Sequence, residues 1–442
     1  MAHRGRVAVM VLALAGTLAA SQASAAEAHR WVQYVPGGIE ARALTDGPAC
    51  PAATLDGAPA AMQRRAAPGE GYPILACALS LPPGTRAATV DSVPLRLPAA
   101  DPRRILVLAD TGCRMKGAKV QACNDITQWP FRVIAAVAAT TRPDLVLHLG
   151  DYHYRETACP AGNAGCAGSP YGDNWAVWRA DFFDPAAPLL AAAPWVMVRG
   201  NHEECDRGGK GWSRTLDPRP FDLAAGCIPG NADPYAVALP GLTLGVMDVA
   251  TADGDAVSIP QANAFRRAFE AVGEAMGRAG GQAGHQAEGQ AASGQPGWLL
   301  LHRPIWSGEE MKNGQAVGAN RTLAAAALDG SIPATVSAMF SGHHHTFAVL
   351  NYDPAAGLPP QVIAGHGGNY ADEGLPADPA GMNILGVRVA SGINQHGYGF
   401  LLLERGDAGW TATSHDMRGN PVRTCTVGIR QVTCGPQRPA GG

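Results

Sequence analysis

Five times along this chain a short apolar run stops abruptly at a polar cluster, and the pattern predicts five buried strands. Ile105-Leu106-Val107-Leu108-Ala109 ends at Asp110-Thr111-Gly112, and Leu145 to Leu149, broken only by His148, ends at Gly150-Asp151-Tyr152-His153-Tyr154. Trp195 to Arg199 ends at Gly200-Asn201-His202-Glu203, Trp298 to Leu301 at His302, and Ala338 to Ser341 at Gly342-His343-His344-His345. Near-continuous apolar runs of this length belong to strands covered on both faces, and helical segments between them give the grammar of α/β layers. The clearest helix runs from Gln261 to Arg278, where Phe265, Phe269, Val272 and Met276 recur at three- and four-residue spacing on one face. Residues 101 to about 420 read as one core.

The flanks read differently. Trp31 to Ala100 alternates short β-rich runs with Pro/Gly turns, so residues 26–100 are expected to form a small β domain, joined to the core by the linker Pro98-Ala99-Ala100-Asp101-Pro102. Ala279 to Gly297 holds almost only Gly, Ala, Gln, Ser, Glu and a lone His285, which predicts a disordered insertion with that histidine in solvent. Residues 421–442 form a tail closed by two cysteines, and there is no internal repeat.

Composition narrows the compartment. Arg4 and Arg6 precede an apolar run from Val7 to about Ala20 and then Ala23-Ser24-Ala25, so residues 1–25 read as a removed signal peptide of a secreted or periplasmic protein. The run is shorter than the ~20 residues of a membrane span, and no later segment approaches that length, so no stable span is expected after cleavage. Losing the two arginines takes the formal charge from −3 to −5, which gives no footprint for nucleic acid. Ten cysteines fall as close neighbours, and in an oxidising compartment they predict the local disulfides Cys50–Cys77, Cys113–Cys123, Cys159–Cys166, Cys205–Cys227 and Cys425–Cys434. A thiolate metal site is the weaker alternative, because the chain has no Cys-x-x-Cys.

The candidate chemistry lies at the five strand ends. An aspartate at a strand end is commonly a turn or helix cap, and a single core histidine commonly just hydrogen-bonds. Five such ends in succession point to one crevice, because ligands of open α/β sheets sit outside the carboxyl ends of strands. Carboxylate, amide oxygen and imidazole together suit two borderline-hard cations.

In order, these ends resemble the motif series of the calcineurin-like metallophosphoesterases: Asp-x-(His/Gly), Gly-Asp, Gly-Asn-His-(Asp/Glu), His and Gly-His-x-His. Asp110-Thr111-Gly112 lacks the histidine common in the first motif, and Tyr154 stands three residues after Asp151, which is the form of the purple acid phosphatases. The resemblance implies an α/β fold, a four-layer αββα sandwich of two mixed sheets flanked by helices. It assigns Asp110, Asp151, Tyr154 and His345 to a first metal, and Asp151, Asn201, His302 and His343 to a second, with Asp151 bridging. It implies two metal ions, Fe(III) with Fe(II), Zn(II) or Mn(II). Ile363 to Asn369 and His396 to Phe400 also look like family segments.

The function implied by this resemblance is hydrolysis of small phosphate monoesters by attack of a metal-activated hydroxide. His202 is the candidate to bind the phosphate or protonate the leaving oxygen, and Asp151 is essential as the bridge. His153 and His344 lie between ligands as supporting or substrate-contacting residues, His148 reads as core, and Asp248 and His366 carry no assignment. Two departures bear on substrate detail: Lys312 stands where these phosphatases usually have a further histidine, and the loop closed by Cys159 and Cys166 has no evident counterpart. The alternatives are a phosphodiesterase acting on nucleotides or phospholipid head groups, and, less favoured, a non-catalytic binding module. Oligomeric state leaves no mark in the sequence.

Overall fold

In the computed structural model, which describes residues 1, 28–222, 224–252, 254, 256–286, 296–313, 315–328, 330–370 and 374–438, alternate side chains of each predicted strand enter different cores. Ile105, Val107 and Ala109 face one apolar cluster while Leu106 and Leu108 face another, and Leu145, Leu147 and Leu149 separate from Val146 in the same way. Trp298 and Leu300 share the first of these clusters, whereas Leu299 and Leu301 point to a third. The period of two therefore sorts the chain into layers. The shared cluster lies between two sheets, and the other two lie between each sheet and its helices. Phe131–Thr140 and Asp184–Leu190 cover one side, Ile259–Gln286 and Arg321–Ala327 the other.

The first sheet has 11 strands and the second has 8. In the first, Arg104–Leu108, Leu145–His148 and Trp195–Met197 run parallel, with Leu108 opposite His148 and His148 opposite Met197. In the second, Gly297–Leu300 runs parallel to Val336–Ser341 with Leu300 opposite Phe340. This register brings Asp110, Asp151 and Asn201 out at one edge, and His302 and His343 out at the matching edge of the partner sheet. Phe340 is fully buried in the layer between the sheets, where truncation to alanine costs about 3–5 kcal/mol.

The amino-terminal β region is present but is not detached. Its hairpin, Ala28–Val35 with Gly38–Thr45, joins the first sheet, where Gln33 pairs with Trp195 in parallel. Only Ala52–Leu55, Ala58–Ala61, Ala88–Val90 and Val93–Pro94 form a separate sheet, and its small cores are shared with first-sheet residues such as Ala41, Ala43 and Leu75. The carboxyl-terminal tail likewise continues the first sheet through Pro421–Gly428 and Gln431–Cys434. Pairing between strands some 160 residues apart leaves no periodic trace, so the sequence shows strands here but not their partners.

The long helix also exceeds its expected end, reaching Gln286 rather than Arg278. Alanine favours helix, and glycine there costs only about 1 kcal/mol each, so residues 279–286 of the expected insertion, His285 included, are helical. Residues 287–295 and the expected signal peptide after Met1 lie outside the described residues. All five expected disulfides are formed. Among the described residues no helix is long and apolar enough to cross a membrane.

Candidate metal centre

Tyr154 is the hub of the site. Its phenol oxygen lies 2.8 Å from Asp110 Oδ1, 2.8 Å from Asp151 Oδ2 and 3.1 Å from His345 Nε2. A phenol has one proton, so it can donate to only one of these three lone pairs. Asp151 Oδ2 also lies 3.2 Å from His302 Nε2, which is 3.0 Å from the Asn201 side-chain oxygen. The other nitrogen of His302, Nδ1, lies 2.7 Å from the carbonyl oxygen of Leu149 and donates to it. Ligand atoms of Asp151, His302 and His343 all lie within 4.8 Å of one another. Lone pairs thus outnumber protons in a cluster that is buried apart from the edge of His343, and this donor set fits hard or borderline cations. All seven residues singled out as metal ligands meet here.

Buried charge shapes the titration of these groups. Burial pushes the Asp110 carboxyl up. At Asp151 burial acts in the same direction, but His302 and His202 outweigh it and hold the carboxyl well below its usual range. Burial and then the Asp110 and Asp151 charges push the Tyr154 phenol well up.

The backbone is bent to make this arrangement. Asp110, Asp151 and His343 adopt φ of 58°, 60° and 70°, a left-handed conformation that costs L residues energy and collects at functional sites. Gly200 lies against Asp151 so closely that a Cβ would strike its carboxylate. Gly150, at φ 99°, leaves room for the His302 ring, which a Cβ would meet at 2.5 Å.

Two carboxylates with no assignment in the sequence hold the bent loops. Glu203 accepts backbone N–H bonds from Gly200 and Asp151 on Oε2, both at 2.9 Å, and from Tyr152 and His153 on Oε1, at 2.8 and 3.1 Å. Asp181 accepts from the amides of Cys113, Tyr154 and Arg155 and pairs with Arg155 Nε at 2.5 Å. Glu203 was visible as the last residue of Gly-Asn-His-Glu. Asp181, from a distant helical segment, carried no signal.

The centre opens into a cleft of about 180 Å³ lined by Asp151, Tyr154, Asn201, His202, His343 and His345, with Arg114, Lys116, Lys119 and Arg207 around them. The His202 ring lies tilted against that of Tyr154 with centres 3.8 Å apart, its Nδ1 2.7 Å from Glu156 Oε1 and its Nε2 3.9 Å from Asp151 Oδ2. Burial lowers its pKa to about 3, Arg207 adding to the effect against the pull of Asp151. Arg207 binds Glu156 and donates to the Asn201 carbonyl at 3.1 Å. Glu156 and Arg207 went unremarked in the sequence because charged residues in loops are common.

The remaining histidines sit away from the opening. His153 contacts the Gly172 carbonyl at 3.0 Å, and His344 contacts Ser307 Oγ at 3.0 Å. His148 is core, 3.1 Å from Thr111 Oγ1 and stacked on Tyr152. Asp248 faces Arg199 at 3.6 Å rather than the cleft, and His366 is buried beside Phe347. Lys312 is exposed on the short strand Glu310–Lys312, while Glu309 just before it reaches His343 Nε2 at 3.4 Å.

Two sheets with flanking helices, and a cluster of oxygen and imidazole donors at their common edge, define a metallophosphoesterase-type hydrolase. The family model described as calcineurin-like phosphoesterase matches residues 103–347, more than half of the chain, and the chain belongs to that family. A purple acid phosphatase from yellow lupin (Lupinus luteus) seeds is similar in fold, with a TM-score of 0.50 at 12% identity, over 92% of this chain and 73% of that one. PhoD is similar too, with a TM-score of 0.50 at 11% identity, over 94% of this chain and 92% of that one. No curated protein matches significantly by sequence. Family membership makes the chain a metal-dependent phosphoric ester hydrolase acting on small phosphate esters, and it implies a binuclear metal centre.

Proposed function

We propose that this protein is an exported phosphomonoesterase of the purple acid phosphatase type. The observation that carries the reading is Tyr154, whose oxygen touches Asp110, Asp151 and His345 where the first motif supplies Gly112 instead of a histidine. Asp110, Asp151, Tyr154 and His345 would hold a first cation, Asp151, Asn201, His302 and His343 a second, with Asp151 shared. A phenolate donor favours Fe(III) at the first position, and Fe(II), Zn(II) or Mn(II) suits the imidazole and amide donors of the second. When bound, such a pair supplies positive charge that acidifies water toward neutral pH and offsets charge on the phosphoryl oxygens.

The chain's own residues do the rest. Arg114, Lys116, Lys119 and Arg207 make the opening cationic, which favours a dianionic monoester over a singly charged diester. Glu156 accepts from His202 Nδ1 and so turns Nε2 toward Asp151 and the cleft. Arg207 Nη2, which can only donate, lies 2.6 Å from Nε2, so the leaving oxygen would take a proton from this nitrogen only once the guanidinium has moved aside. Arg207 ties Glu156 to the Asn201 carbonyl and keeps this pair in place. Five disulfides support export into an oxidising compartment.

The test is the visible spectrum and metal content of the purified chain. A phenolate-to-iron charge-transfer band that disappears in Tyr154→Phe is expected. A colourless protein with two zinc or manganese ions would remove the ferric assignment and favour a phosphodiesterase, which faster cleavage of a bis(nitrophenyl) phosphate than of nitrophenyl phosphate would then establish.

A further inference from the structure

The chain carries a formal charge of −3, yet its cleft gathers Arg114, Lys116, Lys119 and Arg207 against the carboxylates of Asp151 and Glu309. Two of those cations, Lys116 and Lys119, belong to one small hairpin, Met115–Lys116 paired with Lys119–Val120, and Arg114 stands at its base. Like charges crowded on a two-residue turn repel, so the hairpin needs external support, and it has several kinds. The Cys113–Cys123 disulfide closes its base. Met115 bridges to Arg155, and the Gly117 amide donates to Thr157 Oγ1 at 3.1 Å. The Gln121 side chain accepts from the Arg114 amide at 3.2 Å and donates to the Gly368 carbonyl at 2.9 Å.

The cations have different duties. The Arg114 guanidinium lies 4.7 Å from the Tyr154 ring centre and 5.2 Å from that of Tyr370, which holds it over the metal-side wall. Lys116 pairs with Glu156 at 3.3 Å. Lys119 makes no ion pair with the described residues and is exposed while still lining the cleft. A fixed hairpin that spends no carboxylate on its outermost cation is built for an anion from outside.

We propose that the preferred substrate is a phosphate ester whose leaving group bears a second phosphate, gripped by Arg114, Lys116 and Lys119 while the scissile phosphate lies beside Asp151. The proposal rests on the phosphomonoesterase reading. Water oxygen bonds to the scissile phosphorus, the phosphorus–oxygen bond to the leaving group breaks, and that oxygen takes up a proton. The second phosphate is bound and leaves uncut.

The matched probes are 1,3-propanediol bisphosphate and propyl phosphate, assayed with the metal-loaded full chain. The parent should show a kcat/KM for the bisphosphate about tenfold above that for propyl phosphate, carried by KM, since each charge-assisted contact contributes severalfold. Lys119→Ala, and more so Lys116→Ala with Lys119→Ala, should cut that ratio at least fivefold, and Lys119→Arg should keep it. Equal losses on both esters, or a ratio the variants leave intact, would overturn the proposal. Should the parent hydrolyse neither ester, the phosphomonoesterase reading falls. Calorimetric binding then decides the hairpin: tighter binding of the bisphosphate that the double variant loses supports it, and equal binding of the two probes overturns it.

Discussion

Replacing Glu203 by glutamine changes one atom and should nevertheless damage both stability and metal binding. Burial and the Asp151 charge push the Glu203 carboxyl up to about 8. The geometry requires the ionised form all the same, because each carboxylate oxygen already accepts two backbone N–H bonds and no acceptor is left for a carboxyl proton. Glutamine keeps one oxygen and presents an NH2 group to two N–H donors. Two buried amides are orphaned at about 1–3 kcal/mol each, and with relief from burying a charge the net loss is roughly 2–4 kcal/mol. That is a large share of the ~5–15 kcal/mol by which folded domains are stable. Scanning calorimetry of Glu203→Gln should show a fall in Tm on the order of 5–10 °C. Because two of the amides held by this carboxylate belong to Asp151 and Gly200, retention of metal against graded chelator should weaken about tenfold or more, as for other residues that orient ligands. A variant that unfolds within about 2 °C of the parent and keeps its metals would show that the carboxylate does not hold these loops.

The same geometry sets further outcomes. Asp151→Asn should lower turnover of nitrophenyl phosphate about a thousandfold or more, since this carboxylate contacts Tyr154, His302 and the His202 amide, and near-parental kcat would refute its central place. His366 is 2% exposed, and burial lowers its pKa to about 3, whereas an unfolded histidine protonates near 6.5. Protons therefore bind the unfolded chain first, and the stability present above about pH 6.5 is lost as pH falls from there toward 3. Between pH 7 and 5 this one group accounts for about 2 kcal/mol, so urea unfolding of His366→Leu should show a pH dependence smaller by that amount. Removing metal with a chelator should lower Tm, and refilling with excess metal should restore it.

The site was more legible than the scaffold around it. Each residue expected to bind metal stands at or just beyond the end of an apolar run, and such runs are conspicuous because parallel strands buried on both faces leave little room for polar residues. Gly112 and Tyr154 could be read together because a ligand absent from one motif and present in another is a local fact. Asp181 could not be found, since three of its partners are the backbone amides of Cys113, Tyr154 and Arg155, which every residue except proline has, and the fourth, the Arg155 side chain, lies 26 residues away. The parallel pairing of Gln33 with Trp195 and the extension of the long helix to Gln286 were hidden for a related reason. Both depend on tertiary support at positions where local preference is weak. The hairpin cations carried no signal in the sequence, because only the fold, with the Cys113–Cys123 bridge and the Met115–Arg155 pairing, sets them at the rim of the cleft.

Asp110, Asp151 and Asn201 project from one sheet, and His302, His343 and His345 from the other, so any ion held among them would fasten two plates otherwise joined by an apolar layer and hydrogen bonds such as those from His302 to the Leu149 carbonyl and from the His343 amide to Asp110. Affinity for that ion then measures plate spacing. A substitution deep in the layer, at Leu147 or Phe340, touches no ligand, yet it should alter how firmly the ion is held. The centre thereby works as a strain gauge for the whole sandwich, and wear in the interior can be read from metal retention before any unfolding is seen.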